Sequence, residues 1–190
     1  MTGIKDDLGI WETPPTWEVG ETIDSATWIE RVTNPLNLLL RRPLTVLTQS
    51  ADTTVSAGTT GNVLDYDTVV KDDDGMIIDD GAASYSEFYA QRDGIFAVYA
   101  TALFVGNTTS GKTCKISILV NSTIVYARES PLVGTSSGQD EWHSVNGDVS
   151  MTEGDYVQIQ LDNQSSSDIT VKAEFNSPRL VVKWKRPFLS

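Results

Sequence analysis

From Leu44 to the C-terminus, apolar side chains recur at every second position in short runs separated by Gly, Asn, Asp and Ser clusters. A period of two puts alternate residues on opposite faces of a pleated strand, whereas a helix needs a period of 3.6. Within Tyr156–Leu161, Val157, Ile159 and Leu161 point one way and Gln158 and Gln160 the other. Ile169, Val171, Ala173 and Phe175 likewise oppose Thr170, Lys172 and Glu174. The pattern predicts strands near 44–48, 62–69, 84–90, 94–105, 114–120, 123–129, 155–162, 168–175 and 179–185. Asp74-Gly75, Asp93-Gly94, Asn146-Gly147 and Gly154-Asp155 are predicted turns. Many short strands with no helix between them imply an all-β sandwich or jelly roll.

One strand departs from simple alternation. In Ile95–Val105, Phe96, Val98, Ala100, Ala102 and Phe104 form an apolar face. Ile95, Ala97, Tyr99, Leu103 and Val105 make the opposite face almost as apolar. A sandwich strand buried on both sides needs a second cover, from a neighbouring subunit or from a loop of its own chain. The subunit reading makes Tyr99, Leu103 and Val105 the predicted interface of a homotrimer.

Residues 1–43 have a different character. They hold Trp11, Trp17 and Trp28, with Pro14, Pro15, Pro35 and Pro43. Proline stiffens such a segment into extended chain, and the bulky anchors have no core of their own to enter. Ser25 is a predicted helix N-cap before the helix formers of Ala26–Val32, and Pro35 interrupts that pattern. Leu36, Leu38, Leu39 and Leu40 then give 36–42 more apolar surface than one helical stripe needs. The expected division is an anchoring arm with a short helix, 1–43, and a β-sandwich, 44–190. The predicted anchors are Trp11, Trp17, Trp28, Leu36, Leu39 and Leu40.

Composition narrows the function classes. A net charge of −12 over 190 residues repels phosphate backbones and disfavours nucleic-acid binding. Cys114 is the single cysteine, so no intrachain disulfide forms. The N-terminal Met1–Glu12 lacks a basic segment followed by an apolar one, which argues against a secretory signal. No apolar run reaches the ~20 residues that span a bilayer. The triplets beginning at Asn107, Asn121 and Asn163 match a glycosylation pattern but read as polar turns.

Motifs that could carry chemistry are few. Gly106–Thr113 spells the phosphate-loop pattern G-x-x-x-x-G-K-[ST]. That chemistry needs a helix N-terminus behind the loop, and Cys114–Val120 reads as a strand, so a hairpin loop is expected. His143 is the one histidine; beside Trp142 it reads as a loop residue, and a zinc site could draw only on it and Cys114. Asp65, Asp67, Asp72, Asp73, Asp74, Asp79 and Asp80 face only Lys71 within 65–80. Calcium favours such oxygen clusters, but the spacing is not that of an EF-hand and a solvated turn-rich face explains it as well. Arg179, Lys183, Lys185 and Arg186 make the last strand basic, either as edge protection or to dock an acidic neighbour.

The order of segments resembles the C1q/tumour-necrosis-factor-like jelly roll, in the form found in phage structural proteins. Asp93-Gly94-Ile95-Phe96-Ala97-Val98-Tyr99-Ala100 is similar to that family's G-[IY]-[YF]-x-V-x-A strand. Cys114–Val120, Asn121-Ser122-Thr123 and Ile124–Arg128 resemble its strand–polar turn–strand hairpin. Met151–Val157 resembles its l-x-x-G-D-x-V approach to a late strand. The closing segment departs from F-S-G-x-L, because Pro178 stands within Phe175–Leu180 and belongs at a strand start or edge. The arm, Trp17–Glu21 through Ala26-Thr27-Trp28 to Asn37–Leu40, resembles the N-terminal segment of phage minor structural proteins. These resemblances imply a homotrimer on a virion surface, made in the host cytoplasm. They imply adhesion or decoration as the task, with attachment to capsid or tail proteins as decoration, fibre or spike; the motifs above lead to an expectation of neither catalysis nor a cofactor. A host carbohydrate- or receptor-binding module is the alternative, with Tyr85, Tyr89 and Trp142 as loop aromatics; a depolymerase would be a third class.

Overall fold

The computed structural model describes residues 42–73, 75–78, 83–105, 112–132, 141–174 and 178–187, with backbone alone at 112 and 130–132. The chain divides into two units, Met1–Pro43 and Leu44–Ser190. The predicted anchors Trp11, Trp17, Trp28, Leu36, Leu39 and Leu40, and the helix after Ser25, lie outside the described residues, as do Asp74, Asp79, Asp80 and the 106–111 loop.

The second unit is all-β. Its strands are β1 (Leu44–Thr48), β2 (Thr53–Val55), β3 (Thr59–Val63), β4 (Thr68–Asp72), β5 (Phe88–Tyr89) and β6 (Gly94–Val105). Then come β7 (Lys112–Val120), β8 (Thr123–Leu132), β9 (Glu141–Met151), β10 (Tyr156–Asn163), β11 (Ile169–Val171) and β12 (Arg179–Arg186). They form two antiparallel sheets. Sheet I has seven strands, ordered β2-β11-β6-β12-β1-β4, with β9 on β6 as well. β6 is its spine: β12 pairs with Ile95–Thr101 and β11 with Phe104–Val105, while β9 pairs with Gly94–Phe104. Sheet II has five strands, ordered β3-β10-β7-β8, with β5 also on β10.

Period two explains the layers. Phe96, Val98, Ala100, Ala102 and Phe104 of β6 are buried. Leu180, Val182 and Trp184 of β12 lie on the same inner face. Sheet II answers with Cys114, Ile116 and Ile118 of β7 and Val157, Ile159 and Leu161 of β10, all buried. Trp184, fully buried, donates its indole N–H to the Asp93 carbonyl at 3.3 Å. Pro178 immediately precedes β12, where its missing N–H costs no ladder bond. Asn121 and Ser122 join β7 to β8 with φ of 48° and 62°, the left-handed pair that a two-residue hairpin turn requires.

Several expectations need correction. Asn146-Gly147 is not a turn: both residues lie within β9, whose eleven residues pair with β6 throughout their length. His143 is therefore no loop histidine but a buried strand residue, 4% exposed, and Trp142 is on the same strand. The expected strand at 62–69 is divided into β3 and β4, which belong to different sheets. Leu64 and Tyr66 between them are buried, so the chain crosses the sandwich edge there. The expected strand at 84–90 contracts to β5, and within that at 168–175 the described residues form a strand only at β11.

Candidate subunit interface on the outer face of sheet I

Residues paired in an antiparallel ladder share a face, so the register lays out the outer surface of sheet I. Its middle row runs Val46, Val181, Tyr99, Asn146 across β1, β12, β6 and β9. The row above it is Thr48, Arg179, Thr101, Ser144, and the row below is Leu44, Lys183, Ala97, Asp148. Exposure rises along the middle row. Val46 is buried and Val181 half-buried, but Tyr99 is 41% exposed and Asn146 is open. The uncharged centre is bordered by the exposed cations Arg179 and Lys183 on β12. On β9, Asp148 accepts an ion pair from Lys185 at 2.7 Å. Arg179, Lys183 and Arg186 have no ion-pair partner among the described residues.

The three predicted interface residues separate here. Tyr99 presents an open ring. Val105 is half-buried, in register with Thr170 of β11. Leu103 is 1% exposed within its own chain, directly across the ladder from Trp142. The expectation that Leu103 needs a subunit to cover it is corrected, and the two-faced strand is satisfied internally at that end. Trp142, expected in a loop, is instead a β9 residue and 56% exposed on this face.

The remaining candidate chemistry has structural partners. Asp67 accepts bonds from the Ser50 amide and hydroxyl, each at 2.7 Å, and from Thr68. Burial acts against its charged form, but these bonds prevail and hold its carboxyl below the usual range. Asp72 accepts from Thr45 Oγ1 at 2.7 Å and from the Met76 and Ile77 amides. Asp73 pairs with Lys71. These carboxylates close turns, and no group of metal-ligating side chains is found among the described residues. Lys112 opens strand β7, not a helix. Burial pushes the Cys114 thiol up to about 12, so it is no nucleophile at neutral pH. Of the loop aromatics, Tyr85 and Tyr89 are half-buried, and Tyr89 packs on Tyr156 with centroids 5.5 Å apart.

No family model matches the chain, and no curated protein matches it. Among solved structures it is similar to Eiger TNF from S. frugiperda, with a TM-score of 0.55 and 7% sequence identity. The likeness covers 78% of this chain and 96% of that one. At that identity it concerns the fold alone: the second unit is a TNF-like jelly roll.

Proposed function

We propose that the chain is a homotrimeric structural protein of a bacteriophage particle, attached to capsid or tail proteins by residues 1–43 and not catalytic. The Tyr99 row carries the oligomer reading. A jelly roll that buries its inner faces completely still leaves an aromatic at the centre of an uncharged row, with charge displaced to the borders. That distribution suits the core and rim of an interface. The TNF-like fold agrees with a trimer. Supporting the particle reading are the three tryptophans of an acidic, proline-stiffened arm and its resemblance to phage minor structural proteins. Each buried tryptophan contributes about 1.5–3 kcal/mol, and three arms per trimer act together.

Light scattering at micromolar concentration tests the oligomer, with Tyr99→Lys as the disrupting variant. A monomeric parent, or a trimer indifferent to Tyr99→Lys, refutes the assignment of this face. Deleting residues 1–24 tests the anchor: the truncated protein stays folded but no longer sediments with particles that lack it. Full co-sedimentation would place attachment in the sandwich. The open indole of Trp142 favours a second reading, a glycan- or receptor-binding face on the host side. Glycan-array binding lost in Trp142→Ala would select it.

A further inference from the structure

β8 and β9 are the free edges of the two sheets on one side of the sandwich. No ladder joins them. The cross-links between them are side-chain bonds: Tyr126 donates its hydroxyl to the Asp148 carbonyl at 2.9 Å, and Arg128 Nη1 donates to Ser144 Oγ at 3.4 Å. Every β8 side chain from Thr123 to Glu129 is exposed. Behind this seam lies His143, 4% exposed, its ring edge-on to Phe104 with centroids 4.6 Å apart. Nε2 stands 3.5 Å from Glu141 Oε2, whereas Nδ1 is buried with no hydrogen-bond partner. The neutral tautomer with its proton on Nε2 fits this site, since its N–H points at the carboxylate and its bare nitrogen at apolar surroundings.

We propose that the β8–β9 seam is an acid-sensitive opening of the sandwich, triggered by protonation of His143 at Nδ1. The added proton creates a buried donor with no acceptor, and a cation near the Arg128 guanidinium. The groups facing His143 can be enumerated. Glu141 on β9 favours the cation and Arg128 on β8 opposes it. β6 contributes Ala102 and Phe104, neither titratable. The nearest titratable group of β7 on the buried face is Cys114, which its raised pKa keeps neutral. Burial is the largest influence, and the net effect holds His143 below the ordinary histidine range. The unfolded or opened state therefore binds the proton more readily. Acid favours opening progressively as pH falls below about 6.5, down to the native pKa. β8 is the element that yields, because it is an edge strand: its ladder runs to β7 on one side only, and among the described residues side chains alone tie it to β9.

The test combines proton NMR with hydrogen exchange by mass spectrometry on the full chain. His143 is the one histidine, so its ring C–H signal titrates without overlap. Between about pH 7.5 and 5, protection factors of the 124–129 amides, corrected for intrinsic rates, fall relative to those of β1 and β12. In His143→Gln they stay level. In Arg128→Gln the ring signal titrates at higher pH, because the repelling cation is gone. Constant β8 protection in the parent, an equal fall in His143→Gln, or a ring pKa at or above the ordinary value overturns the proposal. If His143→Gln fails to fold, Arg128→Gln decides: an unmoved ring titration overturns it equally.

Discussion

Gly147 sits mid-strand in β9, facing inward between Val145 and Val149, where a side chain is the ordinary expectation. The reason for glycine is Tyr126. A Cβ built on Gly147 lies 2.6 Å from Tyr126 Cζ and closer still to Cδ2 and Cε2. The ring therefore lies flat on the bare backbone of β9 and closes the seam, with its hydroxyl on the Asp148 carbonyl. Gly147→Ala forces the ring outward. Overpacking of this kind costs about 1–3 kcal/mol. Losing the exposed hydroxyl bond adds roughly 0.5 kcal/mol, the low end for such bonds. Against this, the φ of Gly147 is not in the left-handed region, so alanine stabilises by about 0.4–1 kcal/mol through the unfolded state. The net expectation is a loss of about 1–2 kcal/mol, or roughly 2–8 °C in Tm for a chain of this length. With Tyr126→Ala already in place, the sign reverses: Gly147→Ala then raises stability by about 0.4–1 kcal/mol. Denaturant melts of the four proteins at one fixed concentration close the cycle. An equal loss in both backgrounds would show that the ring does not govern this glycine.

Gly94→Ala is expected to cost more than Gly147→Ala. Its Cβ would lie 2.6 Å from the Arg186 carbonyl and 2.5 Å from Trp184 Nε1, at a φ of 152° that disfavours side chains; thermal melts compare the two. Asp155 accepts from Asn121 Nδ2, the Thr152 amide and Thr152 Oγ1, which hold its carboxyl below the usual range. That stabilisation is present above about pH 3.9 and lost as pH falls through the lower native value. Asp155→Asn therefore lowers the melting temperature at pH 7, and the deficit shrinks below about pH 3.9. Lys112→Ala leaves folding unchanged with no nucleotide bound before or after, because a strand follows the phosphate-loop pattern; ATP binding lost in this variant would contradict it.

How legible the fold was depended on whether a strand's own residues carried its signal. β1 and β6 appear in the sequence with the bounds they have in the structure, and β7, β8, β10 and β12 nearly so. β6, β7, β10 and β12 each have two or more inward apolar residues in register. β9 was invisible because its inward positions read His143, Val145, Gly147, Val149 and Met151. A polar ring and a glycine interrupt the period, and Asn146-Gly147 mimics a hairpin turn. The glycine is dictated by Tyr126, a residue 21 positions away on another sheet, and no local pattern encodes that. The same non-locality hid the site. Tyr99 and Leu103 are equivalent by alternation, both on the outward face of β6. They differ in their neighbours: Trp142 of β9 stands across the ladder from Leu103, whose carbonyl also accepts the Lys172 amide, whereas Asn146 and Val181 flank Tyr99. Without β9 in the reading, the two ends of that face could not be told apart. The open surface that the interface reading requires is thus set by the strand whose glycine and buried histidine disguised it.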